Sequence, residues 1–171
     1  ARKMNYRELE KYTYYIMAVA FLMLVAVMIP SLGKEVGGAR RWLVIGGFTF
    51  QPAELAKFAL ILFIAKSLVK RSDQLKNFAY GYLPKLIVLG FFFVPILFQP
   101  DFGTAITICA VAFTMLMIAG LRSKFLIYSI LAVVPLFVIA IMNAEYRMRR
   151  IKAFLNPWEH ESNAGFQVVQ S

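Results

Sequence analysis

Long uncharged stretches, broken by short clusters of charge, set the pattern of this chain. Four of them run Tyr12–Gly33, Leu86–Pro100, Phe102–Leu121 and Phe125–Ala144. A hydrocarbon core of ~30 Å takes ~20 helical residues to cross, so the second is short and the other three suffice. A fifth stretch, Pro52–Val69, is apolar apart from Glu54, Lys57 and Lys66, and at ~1.5 Å per residue it reaches ~27 Å. Backbone facing lipid must close its own hydrogen bonds, which leaves helices or a closed barrel. The runs lack the period-2 alternation of barrel strands. The pattern predicts an all-α integral membrane protein with five transmembrane helices.

Composition agrees: 60% of the 171 residues are hydrophobic, and 16 are Phe. The lone cysteine, Cys109, excludes an intrachain disulfide, and the lone histidine, His160, excludes a His-rich metal centre; no metal ligands are assigned. The net charge of +10 is unevenly spread. Eleven Lys and Arg residues fall before the first span, between the second and third, and between the fourth and fifth. Seven fall on the opposite side, and five of those are arginines. The positive-inside rule puts Ala1 in the cytoplasm and the segment after Ala144 outside. Nucleic-acid binding is excluded for the basic segment beyond Ala144, because it faces outward.

Arginine forms a planar fork suited to phosphate oxygens. The outer arginines therefore suit an anionic lipid, or they pair with Glu35, Glu145, Glu159 and Glu161. Arg40 and Arg41 lie in Gly37-Gly38-Ala39-Arg40-Arg41-Trp42, which reads as an interfacial turn or as an anion site. Glu54 and Lys57, one helical turn apart at the start of the second span, are either a local ion pair or cavity-facing groups that hold a polar substrate. Glu54 is a poor base there, because the neighbouring ammonium favours its charged form. Asp101, in Gln99-Pro100-Asp101-Phe102-Gly103-Thr104, suits a helix N-cap and equally a cavity mouth. The stretch 146–159 is basic and aromatic, with Arg147 and Arg150 on one face if helical, and such stretches lie along membrane surfaces.

Four motifs recur together in one order: GGARRW at 37–42, FQPAELAK at 50–57, QPDFGTA at 99–105, and YRMRRIKAFLNPWE at 146–159 followed by GFQVVQS at 165–171. Together they closely resemble the SEDS family of bacterial cell-wall polymerases (FtsW, RodA, SpoVE), and the Arg-Arg-Ile-Lys-Ala-Phe-Leu-Asn-Pro-Trp run resembles its division branch more than its elongation branch. The resemblance covers the whole chain but only about the middle half of a family member. It implies one membrane domain that is part of a ten-helix bundle. Residues 1–12 would be cytoplasmic, 13–144 would hold the five helices with short loops, and 145–171 would open a large extracytoplasmic loop.

The resemblance further implies a peptidoglycan glycosyltransferase in the bacterial cytoplasmic membrane, at the division septum. It would polymerise lipid II, with undecaprenyl pyrophosphate leaving, beside membrane lipids, division proteins and a class B penicillin-binding protein. By the same resemblance Glu54, Lys57 and Asp101, then Arg40, Arg41, Arg147 and Arg150, line the substrate cavity, and Gln167 and Gln170 organise the loop. The aspartate proposed as catalytic in the family is expected beyond Ser171. The cofactor is open, a divalent cation being one option. Where the family often has Asp-Pro and Gly after the Trp, this chain has Glu159-His160-Glu161-Ser162-Asn163-Ala164, so no role passes to His160 or Glu161. Two alternatives use the same cavity or surface: a lipid II flippase, and a non-catalytic scaffold for the penicillin-binding partner. No internal repeat of the transporter kind is found.

Overall fold

The structure, a computed structural model, describes residues 6–36, 39–71, 75 and 77–142. Its elements are α1 (Tyr6–Ala26), β1 (Gly33–Val36), β2 (Ala39–Ile45), β3 (Phe48–Phe50), α2 (Pro52–Arg71), α3 (Leu83–Phe98), α4 (Phe102–Ile118) and α5 (Ser123–Met142). A π-helical segment, Phe78–Tyr82, leads directly into α3. The chain divides into two compact units, 1–125 and 126–171. The described part of the second is the remainder of α5, an apolar helix with Pro135 inside it.

Each helix of the first unit buries one narrow stripe. In α2 the stripe is Ala53, Ala56, Leu60 and Ile64; in α3 it is Lys85, Leu89, Phe92 and Ile96; in α4 it is Ala105, Ile108, Ala112 and Leu116. Steps of three and four residues keep these side chains on one face of a 3.6-residue helix. The small stripe residues Ala53, Ala56 and Ala59 let α1 and α4 approach the α2 backbone closely. α1 and α2 run antiparallel: the Lys66 ammonium donates to the Glu10 carbonyl at 2.6 Å, and the rings of Tyr14 and Phe63 meet at 6.5 Å. The opposite faces are apolar too, with Leu22, Ile87, Phe91 and Ile118 exposed. Among the described residues, Arg7–Ala26 and Phe78–Phe98 are long and apolar enough to cross a membrane.

Among the described residues five helices stand where five spans are expected, with the largest shifts at the two ends of the first. The third begins at Leu83, behind the π-helical segment, rather than at Leu86. The first was expected over Tyr12–Gly33 and runs Tyr6–Ala26. Counting uncharged residues omits the solvated turn carrying Arg7, Glu8, Glu10 and Lys11. At the other end it includes a chain of tight turns around Pro30, where Leu32 and Gly33 both donate to the Ile29 carbonyl at 3.0 Å.

The connection from α1 to α2 corrects the expectation of short loops and helices alone. It is a three-stranded antiparallel meander in the order β1-β2-β3. Gly46 and Gly47 join β2 to β3 with φ of 57° and 88°, the two positive values that a type I′ hairpin turn needs. The Gly46-Gly47 pair between Leu43-Val44-Ile45 and Phe48-Thr49-Phe50 carries that signal in the sequence, in a segment that lies outside the long apolar runs. Between Lys34 and Glu35 the β1–β2 register slips by one residue, so that Glu35 pairs with Arg40 and Arg41 is the extra residue between the Lys34–Trp42 and Glu35–Arg40 pairs. This is a β-bulge, which re-aims side chains locally.

Gly33 is needed for space. A Cβ there would collide with the Val27 carbonyl oxygen, whereas one on Gly90 in α3 meets nothing within 4 Å. Gly33→Ala is expected to lower stability by about 1–3 kcal/mol, the usual range for overpacking. Gly90→Ala is expected to be tolerated. Thermal unfolding of the two variants side by side checks the contrast.

Candidate functional site

The sheet lies at the end of the bundle where α2 and α4 begin and where α1 and α3 end. Three contacts fix that arrangement. The Gln51 amide donates to Asp101 Oδ2 at 2.9 Å, linking the residues just before α2 and α4. The Gln99 amide donates to the Leu24 carbonyl at 2.9 Å, linking the end of α3 to the end of α1. Arg41 of β2 donates from Nε to the Gln99 carbonyl at 3.4 Å and from Nη2 to the Pro100 carbonyl.

Asp101 stands at the centre and is 5% exposed. It caps α4: Oδ1 accepts from the Thr104 backbone N–H at 3.3 Å, and Oδ2 accepts from the Thr104 hydroxyl at 2.9 Å. Arg41 Nη1 lies 3.9 Å from Oδ1. The Asp101 carboxylate thus accepts three hydrogen bonds on its two oxygens, as a buried polar group requires. Its chemical capacity is structural: it fixes the α3–α4 turn against β2 and against the start of α2.

Glu54 and Lys57 sit beside this knot on the first turns of α2, and their charges meet at 2.7 Å. Glu54 is 55% exposed and Lys57 25%, so the pair contributes little to stability. Lys57 stands at the rim of a small groove of about 30 Å³ between α2 and α4, floored by Leu60, Ile61, Ile64, Ile108 and Val111. An ammonium has three donors, and the contact to Glu54 leaves two for a further anion.

Arg40 takes a different partner from its neighbour, donating from Nε to Glu35 at 3.2 Å on an exposed surface. With Glu35 it flanks a cavity of about 230 Å³ that also touches Met28, Phe98 and Gln99. Gln99 Oε1 is buried without a hydrogen-bond partner among the described residues. Arg147, Arg150, Gln167 and Gln170 lie outside the described residues. Of the expected site residues, Arg41 joins Asp101, Glu54 joins Lys57, and Arg40 pairs locally with Glu35. Gln51, Gln99 and Thr104 were missed. A repeated Gln-Pro before a helix (51–52 and 99–100) and a Thr three residues after Asp101 carry that signal.

Asp101→Asn is expected to keep most of the stability, since Asn caps as well as Asp. Asp101→Ala is expected to cost about 2–3 kcal/mol, because it removes the cap and strands the donors of Gln51 and Arg41. Unfolding in detergent compares the two.

The pattern of the family described as "Cell cycle protein", that of FtsW, RodA and SpoVE, matches residues 1–171. The chain is 40% identical over 171 residues to a probable peptidoglycan glycosyltransferase FtsW of Geobacter metallireducens, covering 100% of this chain and 46% of the relative. It is 36% identical over 156 residues to the stage V sporulation protein E of Bacillus subtilis, covering 91% of this chain and 43% of that protein. Among solved structures it resembles a chain of a peptidoglycan synthase complex that coordinates polymerization and crosslinking, with TM-score 0.76, 29% identity, and coverage of 98% of this chain and 49% of the other. It also resembles the rod shape determining protein RodA of Thermus thermophilus, with TM-score 0.66, 29% identity, and coverage of 78% and 43%. The chain spans about half the length of the curated relatives it matches. With the match running from its first residue to its last, the chain belongs to the FtsW, RodA and SpoVE family of cell cycle proteins.

Proposed function

We propose that this chain contributes the outward-facing lipid-diphosphate site of a peptidoglycan glycosyltransferase in the bacterial cytoplasmic membrane. The helical stretches Arg7–Ala26 and Phe78–Phe98, long and apolar enough to cross a membrane, and exposed apolar side chains such as Leu22, Ile87, Phe91 and Ile118 support the membrane reading, because a water-soluble bundle turns polar residues outward. The sheet end is the outer side, since the larger share of Lys and Arg falls at the other end. The division branch and its septum follow from the FtsW relatives, and a class B penicillin-binding protein is the partner expected beside them.

The observation that carries the proposal is Lys57 at the head of the α2–α4 groove, with aliphatic residues below and Glu54 at its side. A polyprenyl diphosphate has the same order, an anion at one end and hydrocarbon behind it. In the reaction, an acceptor sugar hydroxyl oxygen bonds to the anomeric carbon of the lipid-linked glycan. The bond from that carbon to the diphosphate oxygen breaks, and the polyprenyl diphosphate departs with the electron pair. Lys57 faces the charge that grows on the leaving diphosphate. Glu54 holds the ammonium in place, and the Asp101 knot holds the start of α2 that carries both. The proton taken from the hydroxyl goes to a base expected beyond Ser171.

In a chain of full family length carrying this segment, Lys57→Ala is expected to lower glycan yield from labelled lipid II by ~100-fold with normal membrane insertion. Glu54→Ala, which frees the ammonium from its place, is expected to lower the yield in the same direction. Glycan separated on gels is the readout, and an unchanged yield from either purified variant removes the assignment. Movement of labelled lipid across liposomes without any polymer would favour the flippase instead.

A further inference from the structure

We propose that the β2–β3 hairpin is a membrane-contacting element, with the Phe48 ring seated in the interfacial layer of the leaflet beside the sheet. The inference rests on the membrane reading above and adds a surface to it. Residues two apart on a strand share a face, and so do residues directly opposed on neighbouring strands. Leu43 is buried against the helices, and it opposes Phe50. Two residues further along, Ile45 opposes Phe48. Phe48 therefore extends the face that Leu43 turns toward the bundle.

Phe48 is nonetheless 81% exposed, so the hairpin overhangs the helices and its tip has no protein beneath it among the described residues. The space under that face is assigned to the lipid interface. The chemistry of the tip fits. From Trp42 to Gln51 there is no charged residue, and the two turn positions are Gly46 and Gly47, so nothing charged is desolvated as the ring enters the interface. Backbone groups at the turn remain near headgroup water, where they can be satisfied. Aromatic and apolar residues are favoured at that depth. Val44 and Thr49 oppose each other on the other face and point away from the layer.

The experiment uses the chain in phosphatidylglycerol-containing vesicles, with Trp42→Phe and Trp158→Phe removing the native indoles. Phe48→Trp and Val44→Trp are then read separately. The expected result is blue-shifted emission from position 48, quenched several-fold more by headgroup-proximal spin-labelled lipid than by iodide, with the reverse at position 44. Iodide quenching at 48 in chain that survives an alkaline wash of the vesicles overturns the hairpin proposal and leaves the membrane reading intact. Shielding of position 48 from both quenchers also overturns it, and points to a second copy or another protein on the tip. Loss of the chain from the vesicles in the wash overturns the membrane reading and the proposal together.

Discussion

A carboxylate removed from water must be surrounded by donors, and the way Asp101 meets that requirement determines how the sheet end of the molecule is built. Its two oxygens receive the Thr104 amide and hydroxyl, the Gln51 amide and, at longer range, the Arg41 guanidinium. These donors come from α4, from the residue preceding α2, and from β2. Removing a single partner from such a buried group costs more than the partner's own hydrogen bond, because the remainder is left desolvated. The constraint thus acts on geometry. The starts of α2 and α4 are held together, and the groove headed by Lys57 runs between those same two helices.

The β-bulge gives two neighbouring arginines different surroundings. In an unbroken ladder Arg40 and Arg41 would point to opposite faces, each with its own cross-strand partner. Here Arg40 stands opposite Glu35, and Arg41 is the extra residue of the bulge. Arg40 satisfies that glutamate at the surface, while Arg41 reaches the carbonyls of Gln99 and Pro100. A surface pair of this kind is worth little, which leaves Arg40 the more available of the two to an incoming anion. Arg41 is committed to the fold.

Much of this architecture was legible in the residues. Pro52 starts α2 as an N-terminal proline should, and Asp101 and Gly120 bracket α4 closely. The Glu54–Lys57 contact follows from helical spacing alone. Two things were hidden. The meander was obscured because Leu43-Val44-Ile45 is continuously apolar, so a short strand there looks like part of an interfacial turn. The Asp101 network was obscured because its members lie some fifty residues apart, and hydrogen bonds between side chains leave no periodic trace. Gln51 and Gln99 read as ordinary polar residues before prolines until the fold brings them to the same end. The QPDFGTA motif marks Asp101 as a helix N-cap, but nothing in it shows that the same carboxylate also receives the Gln51 amide.

The π-helical lead into α3 has a consequence for alignment of the whole helix. A π turn accommodates one more residue than an α turn, and each residue of an α-helix advances the side-chain direction by ~100°. Asn77 closes the front of this widened turn by accepting the N–H groups of Ala79 and Tyr80, and the Lys85 ammonium takes the Gly81 carbonyl from the other side at 2.7 Å. Tyr82, whose ring stacks on Phe125 with planes 16° apart, ends this turn and stands in helical register with the buried stripe of Lys85, Leu89, Phe92 and Ile96. Deleting one residue between 79 and 81 would restore ordinary pitch and rotate Phe78 away from the Tyr82 and Phe125 rings, which it meets at 5.8 Å and 5.4 Å, while leaving that stripe in place. The widened turn sets the phase of what precedes it, so that Phe78 as well as Tyr82 meets the Phe125 ring.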